Sequence, residues 1–339
     1  MQPKLKRGEL DHLAKFYSLD EARIETMFDI TGARPTRAEG LSFLGACLML
    51  GGLLSLAASV VFFVAANWSD IAIFGRFALL ELVLVACGAI AFVRPPPSFA
   101  GRAALFMAFI TTGALLALFG QTYQTGADVY ELFLGWSLAG LPLAFIARWS
   151  VATAAWVLVL NTALALYCGW QPAGGLLWTL FGGMRLSIAN ALLIAGTINV
   201  MLWFAADRWR RPATPDWVRR LILSCGFAFV TWSGILAVMQ GYAQAGGSPA
   251  LTLTGVAALM AVVSAHTLRQ REDIYALAVV FGTFVIVSLV AIARGLEWKD
   301  EIAFFVLALW LIITSTIGGR MLMSLMRRWR QPEPVEAVA

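Results

Sequence analysis

Between residues 67 and 81 the chain carries an amide, two carboxylates and a guanidinium: Asn67, Asp70, Glu81 and Arg76, with Trp68 beside the first. A guanidinium at this spacing could hold an anionic group, and either carboxylate could exchange protons with a substrate in hydrogen-bonding reach. A second polar stretch, QTYQTGADVYE at 121–131, offers Gln121, Tyr123, Gln124 and Asp128. Its amides and phenol suit sugar or peptide-like groups. It contains no Lys or Arg, and its acids, Asp128 and Glu131, stand where they would cap a following helix. A looser version, Gln240, Tyr242 and Gln244, comes later.

Metal chemistry finds little footing. Cys47, Cys87, Cys168 and Cys225 occur singly, read as small buried thiols, and His12 and His266 are the only histidines. That is too few ligands for a zinc or haem site, and no cofactor is expected.

The elements that position these residues are set by composition. Hydrophobic residues make up 60% of the 339 and charged residues 13%, with a mean hydropathy of +0.78; soluble domains carry about 25% charged residues. Apolar runs lie near 41–66, 72–93, 103–120, 131–147, 151–169, 187–206, 218–240, 249–267, 274–293 and 301–323. About 20 such residues cross a hydrocarbon core as a helix, and the runs lack the alternation of barrel strands. The expected fold is all-α, a polytopic transmembrane bundle of about ten spans.

Charge gives the direction. With the N-terminus in the cytoplasm, ten spans return the C-terminus there. The opposite face keeps only Arg76, Arg185, Arg294 and Lys299 of the 25 basic residues, the asymmetry that sets topology in short loops. The net charge of +5 is therefore a topology signal rather than nucleic-acid affinity. Residues 1–40 read as cytoplasmic amphipathic helices, with Ser18 as an N-cap and Ile24, Met27 and Phe28 on one face. Residues 41–325 form the bundle, and 326–339 a disordered tail. The Gly-rich loop at 169–185 suggests a re-entrant or interfacial segment.

All the polar residues above then fall at the outer ends of spans. Glu81, about 7.5 Å deeper than Arg76 at 1.5 Å per residue, is expected to face the bundle interior and pair with it. Asn161, Asn190 and Asn199 are the amides within spans that could line a central site, or bond helix to helix.

With ANWSDI at 66–71 and GQTYQTGADVYELFLGWSLAGLPLAF at 120–145, the chain resembles bacterial membrane proteins grouped as domain of unknown function 2157. The matching positions are Asn67, Trp68, Tyr123, Gln124, Asp128, Leu132, Phe133 and Trp136, strongest over residues 1 to about 150. The resemblance implies a bacterial inner-membrane location, brings no activity, and adds Trp136 to the candidate ligand-binding set of Asn67, Trp68, Asp70, Arg76, Glu81, Gln121, Tyr123, Gln124 and Asp128. Three functions fit: an accessory or structural protein holding an envelope or membrane partner, a transporter-like protein with an outward polar vestibule, or an enzyme acting on a lipid-linked substrate at the outer leaflet.

Overall fold

A backbone with no water to bond to must bond to itself, and in this computed structural model helices alone do so: eleven α-helices and no strand among the described residues. The structure describes residues 17, 19–31, 37–66, 71–123, 126, 128–170, 187–208, 215–240, 248–271, 273–296 and 301–330. Two units divide the chain, Met1–Ala72 and Ile73–Ala339.

The first unit holds α1 (Glu21–Ile30) and α2 (Arg37–Ala66). Asp20 caps α1, its Oδ1 accepting the Arg23 N–H at 2.9 Å, so the cap stands nearer the helix than the expected Ser18. Ser18 and the amphipathic stretch before it lie outside the described residues. Ile24, Met27 and Phe28 are half-buried while Arg23, Glu25 and Thr26 are exposed, as the periodicity predicts. Cys47 on α2 is exposed rather than buried, because α2 is apolar on every side and so presents small residues outward too.

The second unit runs α3 (Ile73–Val93), α4 (Phe99–Tyr123), α5 (Val129–Ala147), α6 (Ser150–Trp170), α7 (Ile188–Arg208), α8 (Asp216–Gln240), α9 (Pro249–His266), α10 (Ile274–Gly295) and α11 (Glu301–Arg330). Each of these, and α2, is long and apolar enough to cross a bilayer, ten helices among the described residues. All ten expected runs coincide with one of them. Edges differ where no breaker stops the helix. α4 continues through Gln121, Thr122 and Tyr123, so the polar stretch begins as the last helical turn and not as a loop. The chain then turns at Gly126, whose φ of +67° only glycine adopts without strain. α11 runs past 323 to Arg330, its basic last turn favoured by the helix dipole.

Packing follows chain order from α3 to α8, and α8 also contacts α6, α9 and α10. Phe227, Leu223 and Val230 of α8 are fully buried in a core shared with Val157, Trp203, Val256 and Val280. In hydrocarbon no hydrophobic force draws helices together, so close packing must. Small residues permit it. A methyl on Gly113 would fall on the Trp136 ring, and one on Gly140 on the Phe109 ring. Between α7 and α8, Gly196 and Gly226 let the backbones meet: a Cβ at Gly226 would stand 2.9 Å from Asn199 Cβ.

A larger side chain at that crossing should therefore cost stability. Gly226→Val is expected to lose about 1–3 kcal/mol, seen as a lower unfolding temperature in detergent. Gly135→Ala, whose methyl would meet only Leu116 Cδ1 at 3.9 Å, should leave it unchanged or raised. Equal effects would show that α7 and α8 do not depend on the glycine contact.

Candidate functional site

The charge-poor end of the second unit gathers part of the expected site. Arg76 stands in the first turn of α3 and Tyr123 in the last turn of α4, with Phe77 and Tyr123 ring centroids 6.1 Å apart. Tyr123 also meets Phe119 at 4.8 Å. Gln121 and Tyr123 are exposed, Arg76 and Asp128 half-buried. Asp128 occupies the N-cap position of α5 with extended backbone but no side-chain cap bond. Its carbonyl accepts the Glu131 N–H at 2.9 Å. Glu131 lies in the first turn, where the dipole favours an acid, and its carboxylate accepts from the Tyr130 hydroxyl at 3.1 Å.

Other expected members stand apart. Glu81 is exposed on α3, and among the described residues no ion pair joins it to Arg76; five residues of helix turn the two side chains well apart. Trp136 lies in the α4–α5 seam, donating its indole N–H to the Phe109 carbonyl at 2.8 Å and packing on that ring at 5.4 Å. Asn67, Trp68, Asp70, Gln124, Tyr242, Gln244 and the 171–186 stretch lie outside the described residues.

Inside the bundle, the amides bond helix to helix. Asn161 of α6 donates to Asn199 Oδ1 at 3.1 Å, and Asn199 of α7 donates to Asn161 Oδ1 at 2.9 Å. Their remaining N–H groups reach the carbonyls of Val157 at 2.8 Å and Ala195 at 3.0 Å. All four amide hydrogens are consumed and both oxygens accept, which leaves no donor for a ligand. Thr252 donates to Asn190 at 2.6 Å, and Thr231 bonds Thr283 at 2.8 Å.

Ionisable groups meet at the arginine-rich end. Asp207, near the end of α7, faces His266 at the end of α9 and Arg219 in the first turn of α8: Oδ2 lies 3.0 Å from His266 Nε2, and Oδ1 3.4 Å from Arg219. The three side chains are only 14%, 14% and 15% exposed, so the contact is screened less than a surface ion pair. Facing an ionised carboxylate, which can only accept, His266 Nε2 is the donor of this contact. Trp203 and Phe204 hold the imidazole edge-on at 5.4 and 4.8 Å. Arg219 also pairs with Asp216. Its neighbour Arg220, turned by 100° of helix, reaches the other way. It lies 3.8 Å from Asp273 and over the Tyr275 ring at 5.2 Å, while Ser224 bonds the Tyr275 hydroxyl at 2.6 Å. Directly after His266 the helix widens into one π-helical turn, Thr267–Arg271, a rare geometry frequent at functional sites.

Sequence reasoning did not single out Asp207, Arg219 or this role of His266. The available signals were an acid closing one span and one of only two histidines closing another. Nothing in the order of residues brings 207 to 266.

The fold and its two polar ends define a multi-pass α-helical membrane protein. Residues 17–153, less than half of the chain, match the model of a family described as predicted membrane protein (DUF2157). This bears out the resemblance read from the sequence over that range. The match ends in the first turn of α6, before the Asp207 cluster begins. No curated protein and no solved structure matches the chain.

The closed amide pair makes a direct test of what locks α6 to α7. Asn161→Ala strands Asn199 in the core and is expected to cost about 1–2 kcal/mol. A double-mutant cycle with Asn199→Ala should give a coupling of about 0.6–1.7 kcal/mol in unfolding measurements. Zero coupling would remove the pair as a helix lock.

Proposed function

We propose that this chain is an accessory protein of the bacterial inner membrane, a fixed helical scaffold that presents its charge-poor end to an envelope or membrane partner. Both termini are cytoplasmic in this reading and the presented end faces outward, as the distribution of basic residues supports. The observation that carries the proposal is the aromatic and amide shelf at the end of α4. Tyr123 is 57% exposed and Phe119 48%, yet Tyr123 is held by ring contacts with Phe77 and Phe119. A rigid, amphipathic Tyr offers contact area at little entropic cost, which is why tyrosine concentrates at interface hot spots. The closed amide pair supports a scaffold as well, since helices locked by satisfied hydrogen bonds gain nothing by moving.

A photo-crosslinking amino acid at Tyr123, in native membranes, is expected to capture one stoichiometric protein adduct, with Leu138 on the exposed flank of α5 as the control site. A monomer free of adducts at both positions, or the same adducts at both, would overturn the reading.

The Asp207–His266–Arg219 cluster favours a second reading, a transporter-like protein in which this largely buried acid and imidazole relay protons, as such groups do in pumps. In proteoliposomes carrying the full chain and a trapped pH-sensitive dye, this reading expects proton flux that Asp207→Asn abolishes. Flux equal to that of protein-free vesicles would remove it.

A further inference from the structure

A cleft of about 510 Å³ opens beside the α5–α6 turn at the arginine-rich end, within the roughly 300–1,000 Å³ of ordinary ligand sites. Its rim is Leu141 and Phe145, 44% and 45% exposed, and its floor includes Val157 and Ile222, 0% and 4% exposed. From the turn, the lining descends α6 to Trp156 and Val157, about 12 Å at 1.5 Å per residue, so the cleft enters the hydrocarbon from the level of the helix ends. Polar groups along it are already engaged. Trp156 donates its indole N–H to the Ser137 carbonyl at 2.8 Å, and Thr153 its hydroxyl to the Trp149 carbonyl at 3.1 Å. What they present to the cleft is apolar.

Arg148 at the mouth is different. It is exposed, and among the described residues no acceptor meets its guanidinium. The nearby acid, Asp207, follows the lining residue Ala206 in sequence but has both carboxylate oxygens engaged by His266 and Arg219. Trp149, next in sequence, is held at the mouth by edge contacts with Phe99 and Phe106 at 6.0 and 5.9 Å, the aromatic placement expected at headgroup level. Arg102 lies on the same face of α4 as those two rings, and among the described residues its buried Nε–H meets no acceptor. An apolar slot that opens sideways among acyl chains, with unneutralised guanidinium at its mouth, is complementary to a molecule with one anionic end and a hydrocarbon tail.

We propose that this cleft binds an anionic phospholipid of the surrounding bilayer, an acyl chain lying along Trp156, Val157 and Leu202 and the headgroup phosphate against Arg148. The site is separate from the Tyr123 shelf and stands or falls independently of it.

The test uses the purified full chain in mild detergent with added phosphatidylglycerol or phosphatidylcholine of matched acyl chains, bound lipid being counted by native mass spectrometry. The protein should retain phosphatidylglycerol about tenfold better, the worth of one charge-assisted contact. Arg148→Gly should erase that preference. Because Arg148 holds φ +46°, a conformation glycine adopts freely, this variant should fold as well as the parent. Ala205→Leu, which fills the slot, should lower retention of both lipids. Equal retention of the two lipids by the parent, a preference surviving Arg148→Gly, or retention unaffected by Ala205→Leu would each overturn the proposal.

Discussion

No water is available inside a bilayer, and the hydrogen-bonding groups of the described spans are arranged under that constraint. The backbone answers with helices. Hydroxyls within the spans turn back on their own helices: Thr111, Thr197 and Thr314 each bond the carbonyl four residues earlier, at 2.8, 2.8 and 2.7 Å. The amides Asn161 and Asn199 consume each other. A polar group that closes on a neighbour stabilises packing but has nothing left to offer a ligand, so the free chemistry collects at the ends of the helices.

Those ends differ in kind. At the charge-poor end, Tyr123 meets the Phe77 and Phe119 rings and the Tyr130 hydroxyl bonds Glu131, with Arg76 and Arg294 the arginines of the described helices there. At the other, Arg219 and Arg220 meet acids, Arg220 also lies over the Tyr275 ring, and Asp207 joins Arg219 to an imidazole. Arg219 and Arg220 show how one helix turn divides this positive charge. Adjacent in sequence, they bind acids on opposite flanks of α8, fastening it to α7 and α10. The residues on which the expected orientation rests therefore also fasten the helices at that end.

Hydropathy made the ten spans legible because each is long, apolar and bounded by charge or a breaker, and helix formation depends on little else in lipid. Edges were less legible: Gln121 to Tyr123 look like loop by polarity, but the helix continues through Tyr123. Glu81 looked interior by depth alone, whereas depth along a helix says nothing about azimuth, and the helix turned it outward. Trp136 stood out as a motif residue, yet its indole N–H found a carbonyl on α4. Asp207 and His266 were invisible together, since their meeting depends on how α7, α8 and α9 pack.

Two departures from local preference lie at the arginine-rich end. Arg148 adopts the left-handed conformation, which costs a side-chain-bearing residue about 1–2 kcal/mol relative to its ordinary state and would cost glycine almost nothing. Its guanidinium makes no bond within the described residues to offset that cost. After His266, a π turn replaces the tighter α-helical ladder. Departures from local preference are where functional or strained sites tend to lie in otherwise consistent folds. At the charge-poor end, two described residues follow their local rules: Gly126 sits where φ is positive, and Glu131 where the dipole favours it. That contrast is in keeping with the proposed roles, a partner met at one end and a phosphate or a proton at the other.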